Sequence, residues 1–158
     1  MNRSNPLADD SVEVYQESYA TALRLLTRRE HSESELRHKL MGRNVPDTIV
    51  DTVVMQLTDE GLLSDQRFAE VYVRGRFERG CGPLRIRAEL RERGISDDLT
   101  EQMLAGLSRL WVESAGRQRS KRFGRQLPGE YRERTKQMRF LQQRGFTSDQ
   151  IQAVFAVL

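Results

Sequence analysis

Cysteine and histidine are nearly missing from this chain, and each scarcity closes off a class of protein. The single cysteine among 158 residues, Cys81, cannot form an internal disulfide. Two histidines, His31 and His38, leave too few soft ligands for a protein-only zinc site, so neither a metal nor a cofactor is expected. Long apolar runs are missing too. The longest, Ala153 to Leu158, falls well short of the roughly 20 residues that cross a bilayer. The start, Met1 to Asp10, has no apolar centre of a secretory leader, and the expectation is a cytoplasmic protein without membrane attachment. Alternating strand patterns with hairpin turns are lacking, which leaves an all-α chain. No paired carboxylates or nucleophile and base stand at a readable spacing, which argues against an enzyme.

What remains is ordinary for a helical protein, with 37% hydrophobic and 31% charged residues. The helical period runs from Tyr19 through Ala22, Leu23, Leu25 and Leu26. Ser32 with Glu35 has the spacing of a capping box ahead of Leu36 and Leu40, and Asn44-Val45-Pro46-Asp47 closes that helix and opens another with Ile49, Val50, Val53, Val54 and Leu57 on one face. Farther on, Phe68, Ala69, Tyr72, Val73 and Phe77 form an apolar stripe. A corner at Gly80-Cys81-Gly82-Pro83 follows it, with a left-handed glycine to end one helix and a proline to begin the next. Beyond the corner Leu84 with Ala88, and Ile86 with Leu90, are expected to face the core.

This phrase occurs three times. Leu40-x-x-Arg43-Asn44-Val45, Leu90-x-x-Arg93-Gly94-Ile95 and Leu141-x-x-Arg144-Gly145-Phe146 align at offsets of 50 and 51 residues. Each is followed by a cap and an apolar helix, carrying Val53, Val54 and Leu57, then Met103, Leu104 and Leu107, then Val154, Phe155 and Leu158, and Thr147 with Gln150 restores the capping box. One unit this small cannot bury its apolar face alone, so the expected architecture is an elongated all-α array of three tandem three-helix repeats. Its parts are a polar, flexible N-terminal tail over 1–18 and repeats over 19–62, 63–108 and 109–158.

The overall net charge of +3 is an average over opposites. Residues 1–66 carry a net −5, 67–93 a net +4 and 94–116 a net −3, whereas 117–144 hold ten basic residues against two acidic ones. A lone basic run is usually a solvated helix face. Ten against two, with Arg117, Lys121 and Arg125 one turn apart and Arg132 and Lys136 following, points instead to an anionic partner. Phe123, Tyr131 and Phe140 lie among these cations.

Two stretches resemble the RecX family, regulators of the recombinase RecA: Arg28-Arg29-Glu30-His31-Ser32-Glu33-Ser34-Glu35-Leu36-Arg37, and Arg67-Phe68-Ala69 through Gly80-Cys81-Gly82-Pro83-Leu84-Arg85-Ile86-Arg87-Ala88-Glu89-Leu90. The resemblance covers about residues 19–158. It implies a non-enzymatic, monomeric modulator that lies in the helical groove of the RecA filament on single-stranded DNA and damps ATP hydrolysis and strand exchange. Under that reading the contact falls to Arg74, Arg76, Arg79, Arg85, Arg87, Arg91, Lys121, Arg122, Arg125, Arg132 and Lys136, with weak, salt-sensitive binding to bare DNA. The alternative is a helix-turn-helix DNA reader with Pro83 to Arg93 as its recognition helix.

The remaining candidates have plainer readings. Gly80-Cys81-Gly82 lacks the preceding strand and the Gly-Lys-Ser/Thr ending of a phosphate loop. Cys81 between two glycines is expected to be exposed, His31 and His38 to serve surface or capping roles, and Trp111 to be a buried contact between repeats.

Overall fold

The computed structural model describes residues 6–156, with side chains from Asp9 onward. The described residues form nine α-helices and no strand. Helix α1 spans Pro6–Arg28, α2 Glu33–Met41, α3 Asp47–Asp59, α4 Asp65–Glu78, α5 Pro83–Glu92, α6 Asp97–Ala105, α7 Trp111–Phe123, α8 Tyr131–Gln143 and α9 Ser148–Phe155. Residues 6–18, expected in a flexible tail, are thus helical. Pro6 sits at a first helical position, where its missing N–H has no partner to lose, and Ser18, Thr21 and Ala22 are buried. Residues 1–5 of that tail, and Leu158 of the expected apolar face, lie outside the described residues.

By contact the chain divides into two compact units, 1–68 with 93–95, and 69–92 with 96–158. In the first, α1 and α2 pack against α3. Ala22, Leu36, Leu40, Val50, Val53, Val54, Leu57 and Leu63 are buried together, each large side chain contributing about 1.5–3 kcal/mol by leaving water. The capping box at Ser32 and Glu35 is closed in both directions. Asn44 has φ +61°, the left-handed turn that asparagine tolerates better than most residues. Ser32 also donates its hydroxyl to the Arg93 carbonyl at 2.7 Å, which holds residues 93–95 in this unit.

His31 departs from its expected surface role and is buried. Its Nδ1 stands 3.1 Å from the Arg29 carbonyl and its Nε2 2.9 Å from Lys39 Nζ, an arrangement satisfied when neutral imidazole donates at one nitrogen and accepts at the other. Burial, with the Arg29 and Lys39 charges adding to it and outweighing the Arg29 carbonyl and Glu35, lowers its pKa below the ordinary histidine value.

In the second unit α7 packs against both α8 and α9, and α5 against α6. The corner that ends α4 adopts the expected form, with Gly80 at φ +83°. Cys81, expected to be exposed, is buried. The cause is tertiary: the Gly82 N–H donates to the Arg144 carbonyl at 2.8 Å and the Leu84 N–H to the Gly145 carbonyl at 2.9 Å, so the end of α8 is tied to the corner. These bonds join what the sequence presents as separate repeats, and they help to make one unit of 69–92 and 96–158. Ile86 and Leu90 are buried, but Leu84 and Ala88 face solvent. Residues two apart on a helix lie about 200° apart, so both expected pairs cannot share one core. Trp111 is buried edge-on to Phe77, with ring centroids 5.4 Å apart.

Candidate anion-binding surface

Apart from Arg119 and Arg144, the arginines after residue 73 fall into two groups, those held by carboxylates and those left facing solvent. Arg76 makes a forked contact with Glu89, Nε to Oε2 at 2.8 Å and Nη2 to Oε1 at 2.6 Å. Glu89 also accepts from Tyr72 at 2.7 Å and from Arg85 at 3.2 Å. Burial alone would push the Glu89 carboxyl up, but the bonds from Arg76, Tyr72 and Arg85 outweigh it and hold it below its ordinary value. Arg87 pairs with Glu101 at 2.5 Å, a bond that lowers the Glu101 pKa, and Arg91 pairs with Asp97 at 3.1 Å. Four of the expected contact residues therefore already have acidic partners, brought to Arg76, Arg87 and Arg91 by the α4–α5 and α5–α6 corners and to Arg85 by one turn of α5.

Arg74 and Arg79 are exposed. Arg74 lines a shallow groove with Phe77 and Leu107, while the Arg79 carbonyl accepts from Arg144 Nη1 at 3.3 Å. Arg85, Arg87 and Arg91 of α5, expected among the contacts, are fixed by their partners as structural ion pairs as much as recognition groups. A recognition helix from Pro83 to Arg93 would have to break those pairs before its arginines reached base edges, and nothing in the geometry favours that alternative.

Residues 117–144 are arranged differently. Arg122 and Phe123 at the end of α7 and Tyr131, Arg132, Thr135, Lys136, Arg139, Phe140 and Gln143 along α8 line an open groove of about 640 Å³ with no carboxylate in its wall. Among the described residues Arg122, Arg132, Lys136 and Arg139 have no ion-pair partner. Of the two nearby acids, Glu133 accepts from Gln137 at 3.2 Å and Glu130 is exposed, and neither lines the groove. Phe123 and Phe140 meet edge to face at 5.3 Å, with Lys136 Nζ 5.9 Å from the Phe123 ring centre. Tyr131 is 83% exposed. The expected residues Arg122, Arg132 and Lys136 come together here; Lys121 and Arg125 are exposed nearby in sequence but outside the groove wall. Arg139 was not singled out by sequence, although its one-turn spacing from Thr135 and Gln143 on α8 was visible.

One residue that charge patterning passed over shapes this site. Arg119 is buried, at 3% exposure, and no carboxylate meets it. Its guanidinium instead donates to the carbonyls of Gly124 at 3.1 Å, Arg125 at 3.0 Å and Gln126 at 3.4 Å, to Gln137 Oε1 at 3.0 Å and to Ser120 Oγ at 3.3 Å. A planar five-donor fork can fill that many acceptors, whereas an ammonium could not. Arg119 thereby fixes the α7–α8 connection and leaves a positive charge behind the groove.

The described residues thus define a three-helix repeat protein with a carboxylate-free basic face and no cluster suited to a metal ion. Family models for the first, second and third three-helix domains of RecX match residues 19–57, 64–104 and 112–155. Regulatory protein RecX of Halorhodospira halophila is 47% identical over 135 residues, 85% of this chain and 84% of that protein. Regulatory protein RecX of Chromohalobacter salexigens is 44% identical over 137 residues, 85% and 88% of the two chains. The crystal structure of RecX from Lactobacillus salivarius superposes with a TM-score of 0.78 at 25% identity, covering 90% of this chain and 95% of that one. A second crystal structure, of regulatory protein RecX, gives 0.84 at 25% identity over 98% and 77%. The chain belongs to the RecX family of regulatory proteins. No helix among the described residues is long and apolar enough to cross a membrane.

Proposed function

We propose that this chain is a negative modulator of RecA that binds the RecA filament on single-stranded DNA, within its helical groove, and damps ATP hydrolysis and strand exchange, thereby regulating recombinational repair and the SOS response. The observation that carries the reading, beside family membership, is the basic groove of α7 and α8, whose cations have no internal carboxylates to satisfy them. A helix face that concentrates like charge is favoured by an opposite charge brought from outside. The arginines of α4 and α5 contribute less, because Arg76, Arg85, Arg87 and Arg91 are paired within the chain. The protein acts as a monomer and without a cofactor in this scheme. Binding to bare DNA is weak and salt-sensitive, and the filament supplies the remaining contact.

The test is retention on immobilised single-stranded DNA from a mixture with RecA, with and without ATP. Retention of the chain should rise sharply when ATP allows the filament to form. Retention that is equal with and without RecA would place the activity on DNA alone and overturn the filament reading.

A further inference from the structure

The groove of α7 and α8 has more in it than positive charge. Phosphate attraction needs only cations, yet three rings stand in the wall, each next in sequence to an arginine: Arg122 with Phe123, Tyr131 with Arg132, Arg139 with Phe140. Two of the rings hold each other, since Phe123 and Phe140 meet edge to face at 88°. Tyr131 is different. Among the described residues its ring has no aromatic neighbour and its hydroxyl no hydrogen-bond partner, and it is 83% exposed beside four unpaired cations.

We propose that this groove is a subsite for the unpaired bases of single-stranded DNA, in which a base stacks on Tyr131 while Arg122, Arg132, Lys136 and Arg139 take the flanking phosphates. Cations interleaved with rings are the pattern by which single strands are bound without reading sequence, because every base presents a π face. An acidic protein segment would satisfy the cations but would leave the Tyr131 face unused, and a duplex keeps its bases stacked inside. The groove is open to solvent, which suits a polymer entering from outside. Thr135 and Gln143 in the same wall offer polar groups to base edges without a fixed pattern of their own. Arg119 keeps the α7–α8 connection in place from behind, so the ring and the cations are presented by a braced corner. The inference rests on the reading of the chain as a filament regulator only in its choice of DNA over RNA.

The experiment measures fluorescence anisotropy of a labelled oligothymidylate of about 16 nucleotides, the upper range for one such site, against an abasic strand of equal length, using the full chain without RecA. Wild type should prefer the base-bearing strand by about tenfold, the worth of one stacked base. Tyr131→Ala should remove that preference while leaving the abasic affinity and the salt slope unchanged, and Tyr131→Phe should retain it, because the ring and not the hydroxyl is used. Arg132→Gln should weaken both strands and lower the salt slope by about one. Equal affinity of wild type for the two strands, no effect of Tyr131→Ala, or displacement by polyglutamate as readily as by oligothymidylate would each overturn the proposal. RecA takes no part in these titrations, so their failure leaves the filament reading standing. A wild type not recruited by RecA filaments would conversely leave the base preference intact.

Discussion

Replacing Gly82 with alanine tests the packing that joins the α4–α5 corner to the end of α8. A Cβ added at Gly82 would lie 2.3 Å from the Gly145 carbonyl carbon, 2.4 Å from its oxygen and 2.4 Å from the Phe146 nitrogen. All three are backbone atoms and cannot swing aside as a side chain would. The chain must part here, and with it go the Gly82 to Arg144 and Leu84 to Gly145 hydrogen bonds at 2.8 and 2.9 Å. Each bond is worth about 1 kcal/mol net and the overpacking about 1–3 kcal/mol, so Gly82→Ala should destabilise by about 3–5 kcal/mol. That is a large share of a domain stability of about 5–15 kcal/mol. Gly75→Ala is the matched control: it lies inside α4 with nothing within 4 Å of an added Cβ, and should stabilise by about 0.5–1 kcal/mol. Urea titrations followed by far-ultraviolet circular dichroism give both values. A Gly82→Ala shift below about 0.5 kcal/mol would refute the close backbone approach.

Further outcomes follow from the same contacts. Arg119→Met should cost about 2–5 kcal/mol, because the Gly124 and Arg125 carbonyls and Gln137 Oε1 lose their donor, and Arg119→Lys should restore only part of it in the same titration. Leu90→Ala should cost about 2–5 kcal/mol, since Leu90 is fully buried, and an unmoved urea midpoint would contradict its place in the core. His31, whose pKa is lowered in the folded state chiefly by burial, disfavours protonation there. Stability should be full above the unfolded value of about 6.5 and fall as pH drops through it toward the folded value. His31→Gln should flatten that loss below the unfolded value of about 6.5, and an unchanged pH slope in the variant would contradict the assignment.

What could be read from sequence was local. The capping boxes at Ser32 with Glu35 and Thr147 with Gln150, and the left-handed turns at Asn44, Gly80, Gly94 and Gly145, depend on residues within a few positions of one another. The burial of Cys81 was not legible, because it is decided by the distant end of α8, whereas the partners of buried His31, Arg29 and Lys39, lie close to it in sequence but carry no pattern that announces burial. The resemblance placed Arg87 and Arg91 among the contacts but could not show Glu101 and Asp97 arriving from α6 to pair with them. The excess of cations over 117–144 was plain, yet which of them share a groove depends on how α8 lies against α7. Arg119 carried no distinguishing signal, since its role comes from carbonyls of the following connection.

The most direct test of the central claim is the rate of ATP hydrolysis by RecA on single-stranded DNA as this protein is added. Wild type should slow hydrolysis, and the double reversal Arg122→Glu with Lys136→Glu should raise the concentration for half-maximal effect by about tenfold or more, at the scale of lost anion contacts. Both residues are exposed, so the variant should melt as wild type does. Hydrolysis that continues unchanged at saturating wild type, or a folded double variant that slows it equally well, would contradict the account.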